Sequence, residues 1–168
     1  QGGLSEEELR SGLHEAILSG SIIPLVATAA QTNVGVTRLL DFISKYCPSP
    51  ADVAEVSVTK SGSDDEMMIT ASTDQPTSLF IYKTVSEPHV GELSFFRVYS
   101  GSVKSGQDLR NTSRHSNERM GPIFSMNGKN RKDAGVLNAG DIGAVVKLKN
   151  THTGDTLCDA KLDIELPG

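Results

Sequence analysis

The chain has 168 residues, 37% of them hydrophobic and 22% charged, which is room for one domain or for one domain with a fragment of another. Sixteen Lys and Arg against 21 Asp and Glu give a formal net charge of −5, which excludes a module held to nucleic acid by bulk charge but leaves room for a local basic patch. No apolar run approaches the ~20 residues that span a bilayer, no signal peptide opens the chain, and two distant thiols, Cys47 and Cys158, do not make a disulfide framework. The reading is a soluble cytoplasmic chain with no membrane partner.

The start, Gln1-Gly2-Gly3 without an initiator Met, reads as cut rather than natural. Ser5-Glu6-Glu7-Glu8 then predicts a helix start. Ser5 is placed to cap it, Glu8 sits at the capping-box position, and three carboxylates face the positive end of the helix dipole. Leu9, Leu13, Ala16 and Ile17 form one apolar stripe that needs a partner surface, and Ser19-Gly20 ends the helix. Ile22 to Ala27 is a short branched apolar run that reads as a buried strand, with Pro24 at its entry or on an edge. A polar loop follows from Thr28 to Asn33. Val36, Leu39, Leu40 and Ile43 restore the helical period until Pro48-Ser49-Pro50 stops it. Residues 1–50 thus read as helix, strand, loop and helix, an α/β remnant too small to bury its own faces.

Residues 51–77 are rich in Ser, Thr, Asp and Gly and read as a linker or long surface loop, with Met67-Met68-Ile69 as a short paired strand within it. Residues 78–168 switch to period two. Leu79, Ile81 and Val85 share one face, and Leu93, Phe95, Arg97 and Tyr99 alternate with Ser94, Phe96 and Val98. Turn residues then punctuate short strands: Gly101, Gly106, Asn127-Gly128, Gly140-Asp141 and Gly154-Asp155. The predicted fold class is mainly β, a small antiparallel barrel preceded by the α/β remnant.

Chemistry is sparse. His14, His89, His115 and His152 are scattered, without the spacing of a metal site. There is no Gly-x-Ser-x-Gly elbow, and Asp64-Asp65 lie in a polar stretch where burial cannot raise a pKa for acid catalysis. Gly-x-x-x-x-Gly-Lys-Ser/Thr is absent, so nothing here wraps a triphosphate. Asn130-Arg131-Lys132-Asp133 imitates a guanine-reading Asn-Lys-x-Asp only superficially, because it sits among barrel turns. No catalytic residue is assigned. A basic cluster remains: Arg110, Arg114, His115 and Arg119 around one hairpin, and Lys129, Arg131 and Lys132 around another. It reads either as a solvated surface or as a patch that meets phosphates. Aromatics suited to stacking on bases are few around it.

Two stretches carry a resemblance. The first is Ile23-Pro24-Leu25-Val26-Ala27-Thr28-Ala29-Ala30-Gln31-Thr32-Asn33-Val34-Gly35-Val36, followed by Leu39-Leu40-Asp41 and Tyr46-Cys47-Pro48-Ser49-Pro50. The second runs from Tyr82-Lys83-Thr84-Val85 through Val90-Gly91-Glu92-Leu93-Ser94-Phe95-Phe96-Arg97-Val98-Tyr99-Ser100-Gly101, with Glu118-Arg119, Ala139-Gly140-Asp141-Ile142 and Thr153-Gly154-Asp155-Thr156-Leu157-Cys158. Together they resemble bacterial elongation factor G and its close paralogues among ribosomal translocation GTPases. The first is similar to the end of that family's P-loop GTPase domain, the second to its translation-factor β-barrel.

The resemblance implies a fragment that couples the nucleotide-binding domain to a ribosome-contacting barrel. Its partners would be small-subunit ribosomal RNA and the other domains of the same chain. It implies GTP with magnesium as cofactor of the full-length protein and none for the fragment, which should be inactive as an enzyme. Ala29, Ala30 and Gln31 match the guanine-contacting loop, where the family usually has Ser-Ala and a bulky residue. Ser to Ala preserves a backbone contact to the base and removes a hydroxyl that supports the loop. That departure points to a paralogue or a relaxed nucleotide site. Arg114, Arg119, Lys129, Arg131 and Lys132 are the candidate RNA contacts; at the turn Arg114-His115-Ser116-Asn117 the family commonly carries a more lysine-rich run. Two rivals stand beside this reading: a stand-alone β-barrel module binding RNA or protein, and a ribosomal-protection or recycling relative.

Overall fold

A computed structural model describes residues 3–53, 55–87 and 91–167. Gln1, Gly2, His89 and Val90 of the sequence reading therefore lie outside the described residues. The chain divides into two compact units, Gln1–Val53 and Ala54–Gly168.

The first unit holds two helices, α1 (Glu6–Leu18) and α2 (Val36–Tyr46). The start of α1 follows from its local chemistry. Ser5 Oγ accepts from the Glu8 N–H at 3.2 Å, and the Glu8 carboxylate accepts from the Ser5 N–H at 2.8 Å, so two backbone donors that a helix end leaves bare are satisfied. The second helix opens after Gly35, at φ 76°, and closes at Cys47 before Pro48. The Arg10 Nε donates to the Lys45 carbonyl at 3.2 Å and ties α1 to the end of α2.

The strand predicted over Ile22 to Ala27 is not formed: among the described residues of this segment there is no strand, and the one pairing nearby is an isolated bridge from Ala29 to Val34. The reason is physical. A strand exists by virtue of a neighbour that takes its backbone hydrogen bonds, and this unit supplies none. Ile23 is 89% and Leu25 99% exposed, and no described residue of 3–53 is buried.

The second unit is antiparallel β throughout. A sheet of eight strands winds around one core. In sequence these are β3 (Ser78–Glu87), β4 (Gly91–Ser100), β6 (Asp108–Asn111), β7 (Ser116–Arg119), β8 (Ile123–Asn127), β9 (Asn130–Asp133), β11 (Ile142–Val146) and β12 (Thr156–Cys158). Their order across the sheet is β7-β6-β12-β3-β4-β11-β8-β9. A short ribbon of β5 (Ser102–Lys104) with β10 (Val136–Asn138) adds to it. Leu79, Ile81, Phe96, Val98, Val103, Val145 and Leu157, from β3, β4, β5, β11 and β12, are wholly buried at the centre, at alternating positions on β3 and β4. Each such side chain contributes about 1.5–3 kcal/mol relative to exposure, which is what lets this unit hold a core while the first cannot.

Residues 51–77, read as a linker or long surface loop with a short paired strand at Met67-Met68-Ile69, contain that strand and a second one. They hold β1 (Val56–Lys60) and β2 (Glu66–Ile69), which pair with each other and, through β1, with β13 (Ile164–Glu165). Val58, Ile69, Ile164 and Leu166 close a second small core between them. The polar composition misled because only alternate residues are covered, and the partner strand lies about a hundred residues away in sequence: Thr59 faces Glu165.

Gly101 is the most constrained turn. It has φ 69°, and a Cβ there would stand 2.6 Å from the Gln75 carbonyl oxygen and 2.7 Å from the Thr77 Cα, both backbone. Gly101→Ala is therefore expected to lower the stability of the chain by about 2–3 kcal/mol in urea unfolding. A loss under about 0.5 kcal/mol would mean that the turn has slack this geometry does not show.

Candidate nucleic-acid interface

Two carboxylates are drawn under the barrel surface. Glu118 on β7 is 2% exposed; its Oε1 accepts from the Asn150 N–H at 2.6 Å and from the Thr151 hydroxyl at 3.0 Å, and its Oε2 from the Lys149 N–H at 3.1 Å. Asp155 is buried beside it. Its Oδ2 accepts from the His152 N–H at 2.8 Å, the Asn111 amide at 3.0 Å and the Arg114 Nε at 2.7 Å. The Asn111 amide also reaches Thr151 Oγ1 at 3.0 Å, so the two carboxylates belong to one network. Burial pushes the Asp155 carboxyl up, but the bonds from His152, Asn111 and Arg114, with the Arg114 charge, outweigh it and hold the group below the ordinary carboxylate value.

This network fixes the segment from Lys147 to Asp155 against the β6–β7 hairpin. Between them lies a groove of about 490 Å³ lined by Asp108, Arg110, Glu118, Arg119, Lys147 and Lys149, among others. Four cations thus meet in one place on an acidic chain. Asp108 lies 3.4 Å from Arg119, with both side chains solvent-exposed, and such pairs are weak; Glu118 is already engaged by loop donors. Lys147 adopts φ 63°, one of three described non-glycine residues at positive φ with Asn33 and His115. Asn and His tolerate that region better than most residues and Lys does not, so strain is held where a cation is presented.

The sequence-predicted residues divide. Arg119 lies in the groove, together with Arg110. Arg114 is turned to buried Asp155 and serves the network, a structural role the sequence reading did not foresee. Lys129 stands in the two-residue turn between β8 and β9, and Arg131 and Lys132 lie on β9 at the edge of the sheet, apart from the groove. Ala29, Ala30 and Gln31 sit in an exposed turn of the first unit, a single 3-10 turn over Ala30–Thr32 closed by Asn33 at φ 59°. Lys147 and Lys149 were missed. Their one signal in sequence is the pair of lysines flanking Leu148, too slight to separate from solubilising charge.

Two consequences are testable. A depressed folded pKa makes Asp155 stabilising above the unfolded value of about 3.9, and that stabilisation is lost as pH falls through the lower folded value. Asp155→Asn is thus expected to cost about 1–3 kcal/mol at neutral pH and to show a flatter fall in melting temperature below about pH 4 than wild type; parallel curves would contradict the assignment. Lys147→Gly should relieve backbone strain and leave stability equal or higher by up to about 1 kcal/mol. A clear loss in urea unfolding would show that Lys147 is held by packing.

Among the described residues no helix is long and apolar enough to cross a membrane, and no group of three or more His, Cys, Asp or Glu is placed to hold a metal. The sequence profile described as elongation factor G domain 2 matches residues 76–160, half of the chain. A solved protein of Thermus thermophilus shares its fold with a TM-score of 0.71 at 22% identity; the match covers 99% of this chain and 22% of that one. This chain therefore spans about a fifth of the length of the solved chain it matches. With its antiparallel barrel and the profile match across it, the chain belongs to the elongation factor G domain 2 family, a domain of translation factors.

Proposed function

We propose that this chain is a piece of an elongation-factor-G-like GTPase acting in ribosomal translocation in the cytoplasm, and that its barrel meets small-subunit ribosomal RNA. The observation that carries the reading is the groove of Arg110, Arg119, Lys147 and Lys149 on a barrel of this family. Guanidinium and ammonium groups around one concavity suit the phosphodiester backbone, whose contacts position a protein without reading sequence. The hairpin cations Lys129, Arg131 and Lys132 would extend the contact along the RNA. In the same reading the first unit is the end of the GTPase domain. The run of Ile22 to Ala27, left without a neighbour, would find its sheet there, and Ala29 to Gln31 would face the guanine of a bound GTP. The chain carries no phosphate-wrapping loop, so GTP and magnesium would be held by residues of the full-length protein, and no hydrolytic step is assigned to this piece.

Lys147→Glu with Lys149→Glu is expected to weaken binding of the chain to isolated small ribosomal subunits by about tenfold or more, and to lower the slope of log K against log salt by about one for each cation lost. Arg131→Glu with Lys132→Glu should give a smaller loss of the same kind. Unchanged binding across the salt series would dismiss the groove as a solvated face. The GTPase part is checked on the source gene: an in-frame Gly-x-x-x-x-Gly-Lys-Ser/Thr upstream of residue 1 supports it, and a start codon close upstream without one removes it.

A further inference from the structure

The outer face of β3, β4 and β11 is unlike the groove. Leu79 and Ile81 on β3, and Phe96 and Val98 on β4, point into the core, which sends their neighbours to the other side of the sheet. Of five Phe and three Tyr in the chain, Phe80, Tyr82, Phe95 and Tyr99 gather there, with Phe80 and Tyr99 half-buried against the small core of Val58, Ile69, Ile164 and Leu166. A β-bulge sharpens the arrangement. Pairing passes from Ile81 opposite Phe96 to Lys83 opposite Phe95, so Tyr82 is an extra residue, and Tyr82 and Lys83 both stand by the Phe95 ring. The Tyr82 and Phe95 ring centroids are 6.3 Å apart, and Lys83 Nζ is 6.0 Å from the Phe95 centroid. Arg97 lies with its guanidinium 5.3 Å from the Tyr99 centroid, and in register it falls between Phe80 and Ile142.

Phe80, Tyr82, Arg97, Tyr99, Ile142 and Pro167 line a groove of about 510 Å³ on this face. Tyr82 is 40% and Ile142 58% exposed. None of the lining residues is a carboxylate, although the chain as a whole is acidic. We propose that this face is a stacking site for an unpaired nucleotide of single-stranded RNA, with the base against Tyr82 and its ring neighbours and the phosphate toward Arg97 and Lys83.

Three arguments choose this occupant. Every base offers a π-face, and aromatic rings flanked by cations are how proteins hold single strands without reading their sequence. The one charged side chain among the lining residues is the cation Arg97, complementary to a phosphate. The patch is also small: six lining residues fall well short of the roughly 20–30 per side of a specific protein interface. Duplex RNA keeps its base faces stacked inside and cannot use such a site. The site is separate from the groove of Lys147 and Lys149, and it stands or falls independently of the ribosomal reading.

The test is titration of the whole chain with a labelled oligouridylate of about eight nucleotides, followed by fluorescence anisotropy, with a duplex of the same length alongside. Tyr82→Ala and Arg97→Ala should each weaken single-strand binding about tenfold, Tyr82→Phe should retain it, and the duplex should be indifferent to all three. The ring proton resonances of Tyr82 and Tyr99 should shift on binding while those of Tyr46 stay in place, a readout that needs no variant. Absence of single-strand binding overturns the proposal. So does binding that survives Tyr82→Ala but is lost with Lys147→Glu and Lys149→Glu, which would put the RNA on the basic groove alone. Equal displacement by polyglutamate would reduce the site to charge and overturn it as well.

Discussion

A carboxylate withdrawn from water keeps its charge only where donors replace the lost hydration, and Glu118 and Asp155 meet that requirement together. The donors come from one segment, the backbone of Lys149, Asn150 and His152 with the Thr151 hydroxyl, and from Asn111 and Arg114 across the β6–β7 hairpin. The network therefore sets where the segment lies and how tightly it is held. The strained backbone of Lys147 persists because its surroundings over-determine it. A buried acid pair beneath a rim of cations is thus one construction: the acids shape the loop and the loop presents the bases.

The two units show opposite outcomes of one physical rule. Backbone polar groups must be satisfied and apolar side chains covered before a segment settles into regular structure. In the second unit every strand finds a neighbour, and β4 buries alternate residues along its length. In the first, α1 and α2 form because helices satisfy their own backbone, while Ile22 to Ala27 does not form a strand because a strand cannot. Leu25 accordingly stays almost wholly exposed.

On the barrel the same alternation that builds the core sorts the outer chemistry. Cations brought by β6, β7 and the 147–149 segment form a basic groove with no aromatic among its lining residues, and aromatics brought by β3 and β4 form a platform lined by one cation, Arg97, and no acid. A bulge of one residue makes the difference for Tyr82. Without it, strict period two would have left one side chain, not two, opposite Phe95.

Whatever depends on near neighbours was legible in the order of the residues. The Ser5–Glu8 cap, the stop of α2 before Pro48, the glycine turns at 101, 106, 140 and 154, and the alternation from Leu79 to Tyr99 all rest on interactions within a few residues, and the family could be read from the same stretches. Arg119 was legible as a surface cation for that reason. Arg114 was not legible as a structural residue, because its partner lies 41 positions away. The pairing of β1 with β13, the meeting of Lys147 and Lys149 with Arg110 and Arg119, and the gathering of Phe80, Tyr82, Phe95 and Tyr99 were likewise settled in three dimensions alone. Each depends on which distant strands become neighbours, and only the folding of the sheets around their cores makes that choice.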